Sequence, residues 1–168
     1  MNAPLHRHLL FQAPLEDPTA RELLAAARSL REVACAPTPA PLRGKNIAVI
    51  GGGGATPLDE DFAAAAAGLG ARVARIEPEI SWLKGEADPG AATARLLDHL
   101  YDAVDCEALP PGFALRLQEK LDVPVYEGLA RADHPIFRLL PALAPQGATP
   151  NATDRRALLQ EALVSTLL

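Results

Sequence analysis

Four short apolar runs, each followed by a stretch of helical length, constrain this chain more than anything else in it. The runs are Asn46 to Ile50, Arg72 to Ile76, Ala103 to Cys106 and Val123 to Tyr126. Each is too short for a helix, and each is closed by glycine, proline or an acid. Runs of that length that alternate with helices read as buried parallel strands joined by right-handed crossovers. The expected fold is therefore α/β: a three-layer domain with a four-stranded parallel sheet flanked by helices.

The helices announce their own starts. Asp17-Pro18 reads as a cap followed by proline at the first helical position, and predicts a helix over 17–34. Thr56-Pro57-Leu58-Asp59 has the same form, with an acid three residues after the cap. It opens a helix that ends near Gly68-Leu69-Gly70. Asp88-Pro89 caps a helix to about Leu100, and Pro111 starts one to about Leu121. Pro135 starts one to about Leu143, and Thr153 caps a last one over 153–168. Prolines 37, 39 and 41 make a stiff connector before the first strand, and prolines 141, 145 and 150 mark a second loose stretch. No internal repeat is visible.

The chain has 168 residues, one domain's worth, of which 49% are hydrophobic and 22% charged. That supports a packed core and argues against global disorder. A net charge of −5 gives no basic face for a phosphate backbone, so no nucleic-acid partner is expected. No apolar run approaches membrane-spanning length, and the short run Leu9-Leu10-Phe11 is too brief for a signal segment. A soluble, cytoplasmic protein is expected. Cys35 and Cys106 lie far apart with no partner motif, which predicts two buried thiols in a reducing compartment and no metal.

The glycine run Gly51 to Gly54 is the first candidate site. It lies where a parallel strand gives way to a helix, at the edge where such sheets bind ligands. Free backbone N–H groups and the helix dipole favour an anion there. The residues nearest that position are Gly53, Gly54, Ala55 and Thr56. Yet no lysine follows as in a P-loop. Gly51 and Gly53 supply only two glycines of a dinucleotide fingerprint, the third position being Thr56. Glu77, after the second strand, is all that adds to a dinucleotide reading. Asp59, Glu60 and Asp61 crowd the first helical turn, where they satisfy the dipole themselves and repel a phosphate. A tight, self-capped turn with no ligand and no cofactor is expected.

Six patterns in sequence order are similar to the N-terminal, carbamoyl-phosphate-binding domain of the aspartate/ornithine carbamoyltransferases. Leu42-Arg43-Gly44-Lys45 before the first strand resembles that family's L-x-G-K. Phe62 to Leu69 with Gly70-Ala71 resembles its helix and L-G-x ending. Lys84-Gly85-Glu86 resembles its K-G-E loop. Thr93 to Leu97 with Tyr101-Asp102-Ala103-Val104 resembles T-A-R-V-L…Y-x-D-A-I. Val123 to Leu129 resembles V-P-V-I-N-G-L, and His134-Pro135 falls where the family has H-P-x-Q. The resemblance covers a core over 42–143. The last helix resembles the family's C-terminal helix, which returns to pack on that core. The resemblance implies one domain over 1–168, in which a linker over 144–152 replaces the family's second domain.

It also implies what has been lost. The family's phosphate loop reads S-T-R-T-R. Here Ala55-Thr56-Pro57-Leu58-Asp59 stands in its place, so both arginines are gone and one has become an acid. A guanidinium fork suits a phosphate and a carboxylate reverses the charge. The arginine that contacts the carbamoyl group aligns with Glu107, the glutamine of H-P-x-Q with Phe137, and the asparagine before Gly128 with Glu127. Thr56, Lys84 and His134 keep the family's pattern, although two extra residues separate Glu86 from Thr93.

The expectation is a catalytically inactive relative, a pseudoenzyme acting as a binding or assembly module. The resemblance implies a homo-oligomer, a trimer, or else a partner enzyme. The alternative is a retooled site for an amine or amino acid, suggested by Asp59, Asp61, Glu107 and Glu127. A dinucleotide-binding domain is the third reading. His134 either polarises a carbonyl or holds the turn before Pro135. Trp82 is expected in a loop beside Lys84, against a neighbouring subunit or over a pocket.

Overall fold

The computed structural model describes residues 17–33, 40–51, 57–87, 89–107, 109–145 and 148–168. Its elements are α1 (Asp17–Val33), β1 (Asn46–Ile50), α2 (Pro57–Gly68), β2 (Arg72–Ile76), α3 (Ile80–Leu83), α4 (Ala91–Leu100), β3 (Ala103–Cys106), α5 (Phe113–Gln118) and β4 (Val125–Tyr126). A 3-10 turn (Pro135–Leu139), α6 (Leu140–Leu143) and α7 (Ala152–Leu167) complete it. All four strands are parallel, in the order β2-β1-β3-β4. Ala48 sits between Ala74 and Val104 in the ladder.

The strand period of two divides the core cleanly. Ile47, Val49, Ala103 and Tyr126 join one buried cluster with Leu23 and Ala27 of α1, Phe62 and Ala65 of α2, and Leu158 and Leu163 of α7. Ala48, Ile50, Val104, Cys106 and Val125 join the other, with Trp82, Leu97, Phe113 and Leu117. One face of the sheet therefore carries α1, α2 and α7, and the other α3, α4 and α5.

Several boundaries differ from the sequence expectation. The last helix is capped by Asn151, not Thr153. Asn151 Oδ1 accepts from the N–H groups of Thr153 (2.8 Å) and Asp154 (3.2 Å), and Asp154 Oδ2 accepts from the Asn151 N–H (3.0 Å). Asparagine with an acid three residues on closes a reciprocal box that Thr153 could not. The expected single helix from Pro135 is split, because Pro141 has no N–H to give to Phe137 and its ring crowds that carbonyl. α4 starts at Ala91 behind Gly90, with no side-chain cap, and Asp88 lies outside the described residues. α5 starts after Gly112, which takes φ +77°, and stops at Gln118. That glutamine's amide donates to Leu121 O and Val123 O, and its Oε1 accepts from the Val125 N–H at 2.8 Å. It thereby draws the chain out of the helix and into β4. Trp82 is in α3, not in a loop. It is 5% exposed with its ring 6.0 Å from that of Phe113, so it packs within the chain.

α7 is fastened at both ends. Arg31 Nε lies 3.0 Å from Asp154 Oδ1, and Arg31 Nη1 donates to Leu143 O at 3.2 Å. Arg28 caps the neighbouring carbonyl, Ala142 O, at 2.8 Å. At the far end the Tyr126 phenol and the Thr166 hydroxyl share a buried hydrogen bond.

Candidate functional site

β1 leads to β2 on one side and β3 leads to β4 on the other, so the strand order reverses between β1 and β3. Parallel sheets open a crevice outside the carboxyl ends of the strands at such a point. Here the Glu107 N–H donates to Ile50 O at 3.1 Å, and the Gly51 N–H to Ile76 O at 3.4 Å. Gly53, Gly54, Ala55 and Thr56 follow Gly51 but lie outside the described residues, as do the side chains of Pro57, Leu58 and Asp59.

The other wall of the crevice is the turn after β4, shaped by Asp105 and Gly128. Asp105 is fully buried in β3, and its Oδ1 accepts from the Leu129 N–H at 3.1 Å. Gly128 takes φ +66°, and a Cβ there would fall 2.4 Å from Arg131 Cδ. Only glycine lets the Arg131 stem lie so close. Arg131 forms a two-pronged pair with Asp133, Nε to Oδ1 and Nη2 to Oδ2, both at 3.0 Å. That pairing holds the Arg131 guanidinium on its proton more firmly, against some desolvation, and Glu107 and Glu127 add to the effect. The same pairing keeps the Asp133 carboxyl below the usual carboxylate range. Glu127 Oε1 accepts from the Gly112 N–H at 3.1 Å.

Of the residues singled out from sequence, Glu107 and His134 are buried beside this turn, at 6% and 1% exposure. Glu107 Oε2 is within 3.5 Å of where a Gly128 Cβ would sit. His134 caps the 3-10 turn: its Nδ1 accepts from the Ile136 N–H at 3.3 Å, and its own N–H donates to Arg131 O at 3.0 Å. Lys84 is exposed and ends α3, its backbone N–H bonded to Ile80 O. Two depressions lie along the crevice and share Pro111. One of about 100 Å³ is lined by Cys106, Leu109, Pro111, Glu127 and Arg131. The other, about 370 Å³ and more open, is lined by Gly85, Glu86, Ala87, Pro110, Pro111 and Arg116. Burial pushes the Cys106 thiol well above its ordinary range, and the nearby charges of Asp105 and Glu127 push it further.

Arg155 of α7 is a residue that sequence reasoning did not single out for the site. Its Nε pairs with Asp61 Oδ2 at 2.9 Å, its Nη2 donates to Ala130 O, and its guanidinium lies 3.8 Å from the centre of the Phe137 ring. One of the three acids at the start of α2 is thus answered from within the chain. Asp105 was also missed, although a lone acid inside the apolar run Ala103 to Cys106 is a signal for a buried acceptor. Among the described residues, no group of three His, Cys, Asp or Glu side chains could hold a metal ion. No helix among them is long and apolar enough to cross a membrane.

No family model matches the chain. Curated proteins do. It is 33% identical over 139 residues to the ornithine carbamoyltransferase of Cutibacterium acnes, covering 82% of this chain and 41% of that protein. The catabolic ornithine carbamoyltransferase of Haemophilus influenzae matches at 32%, also over 139 residues, covering 82% of this chain and 41% of that protein. The chain therefore spans about two fifths of the length of these relatives. Among solved structures, the catalytic subunit of M. jannaschii aspartate transcarbamoylase superposes with a TM-score of 0.59 at 24% identity, covering 76% of this chain and 42% of that one. The ornithine carbamoyltransferase of Burkholderia thailandensis gives 0.58 at 20%, covering 66% and 38%. At such identities the structures speak for the fold and the curated sequences for the kinship. In sequence the chain is thus similar to part of the ornithine carbamoyltransferases, and in fold to part of the solved aspartate and ornithine carbamoyltransferases.

Proposed function

We propose that this chain has no carbamoyl-transfer activity of its own and acts as a binding or assembly module. One observation carries the reading: charged groups around the crevice are engaged within the chain. Asp61 is held by Arg155, Arg131 by Asp133, and Glu127 by the Gly112 N–H. Carbamoyl transfer needs preorganised cations aimed at the phosphate and carbonyl oxygens, and two substrates brought together. The Ala55 to Asp59 stretch supplies no arginine, and Glu107 puts a buried carboxylate where the family pattern has a cation. The unit is read as one domain, with 144–152 standing where the relatives' further length belongs. The buried, free Cys106 suits a cytoplasmic location.

Assembly is supported by the face of α3, α4 and α5. Ile80 (70% exposed), Leu83, Leu96, Leu100 (55%) and Leu115 all stand out on these helices, whereas the opposite face has α1 and α7 across it. Exposed apolar groups gathered on one face mark an interaction surface. A homo-oligomer, a trimer by family resemblance, is the partner assigned to it.

Two measurements test the reading. Purified protein incubated with carbamoyl phosphate and either ornithine or aspartate should release no phosphate above the buffer rate; saturable release would sink the inactive reading. Sedimentation should show an assembly that Leu96→Glu with Leu100→Glu reduces to monomer; a wild-type monomer would remove the assembly role. The alternative of a small cationic ligand rests on Glu127, which lines the smaller depression, and on Glu107, buried beside Gly128. A thermal-shift series with putrescine, methylammonium, carbamoyl phosphate and NAD separates it. Stabilisation by the amines alone would favour it, and stabilisation by carbamoyl phosphate would mean that the anion site survives. A response to NAD would revive the dinucleotide reading.

A further inference from the structure

We draw no further inference here: the strongest candidate, the cavity of about 100 Å³ that Cys106, Leu109, Pro111, Glu127 and Arg131 line at the carboxyl edge of the sheet, belongs to the crevice already described, and one carboxylate beside one guanidinium does not say what it would hold.

Discussion

Arg31 and Asp154 stand 123 positions apart in the chain, yet the guanidinium Nε lies 3.0 Å from the carboxylate of a residue with no exposure at all. The same arginine reaches Leu143 O at 3.2 Å, so one side chain ties the end of α6 to the start of α7. Removing one partner of a buried pair leaves the other charge without compensation, at a cost of about 3–5 kcal/mol when both are buried. Arg31 is 29% exposed, so Arg31→Ala should cost less, about 2–4 kcal/mol, read as a lower urea midpoint. Arg31→Lys should recover part of that loss. An unchanged midpoint in Arg31→Ala would mean that the pair is ornamental.

Gly128→Ala should be destabilising out of proportion to one methyl group. The backbone is left-handed there, and the new Cβ would lie 2.4 Å from Arg131 Cδ. A loss of about 1–3 kcal/mol is expected, the usual cost of such strain. In Gly128→Ala with Arg131→Ala the clash disappears, so the two losses should sum to more than the double variant shows. Strict additivity would place the strain in the backbone alone.

Asp102 links the loop before β1 to β3. Burial opposes its ionisation, but the Asn46 N–H at 2.8 Å and the Lys45 ammonium at 3.0 Å outweigh it, and its carboxyl sits below the ordinary value. A carboxylate depressed in the folded state stabilises above its unfolded pKa, about 3.9. That contribution is lost as pH falls through the lower, folded value. Stability should therefore fall between about pH 4 and pH 3 more steeply in the wild type than in Asp102→Asn. Parallel slopes in urea unfolding at the two pH values would remove the assignment.

Cys106 is 3% exposed, and its thiol is pushed well up by burial and by Asp105 and Glu127. The thiolate is the reactive form. In a Cys35→Ser background, Cys106 should stay unmodified by a thiol reagent at pH 8 until denaturant unfolds the chain. Reaction at the rate of a free thiol would show that this end of β3 opens readily.

Tyr126 is fully buried, and burial raises its phenol further than the Thr166 hydrogen bond lowers it. Tyr126→Phe keeps the ring against Phe62 and removes only the hydroxyl. Thr166 retains its bond to Ala162 O at 2.8 Å, so the loss should be modest, about 1 kcal/mol. Thermal melting checks this. A much larger loss would mean that the pair is the main anchor of α7.

The sheet was legible because its strands are what their composition says. β1, β2 and β3 have the bounds expected from apolar runs closed by glycine, proline or an acid. Helix starts were less so, because competing caps stand close together. Asn151 and Thr153 are two residues apart, and only the box with Asp154 decides between them. Pro141 signals a break, but only the split between the 3-10 turn and α6 shows where it falls. At the site, sequence marked Glu107 and His134 by position in a pattern. It offered two readings of His134, polarising a carbonyl or holding the turn before Pro135, and the position of the Ile136 N–H shows the turn. Arg155 was hidden for a different reason. Its partners Asp61, Ala130 and Phe137 come from separate parts of the chain and meet it only in three dimensions.

The arrangement of α1 and α7 on one face of the sheet has a kinetic side. During synthesis α3, α4 and α5 can close over their face as soon as β4 has been made. The opposite face must wait for residues 152–167, and until they emerge Phe62, Leu69 and Tyr126 lack their last cover. One half of the core can thus consolidate on the ribosome while the other stays unfinished and open to chaperones. Termination between β4 and Asn151 would leave the α1 and α2 face of the sheet without α7, exposing part of that apolar core, a species prone to aggregate.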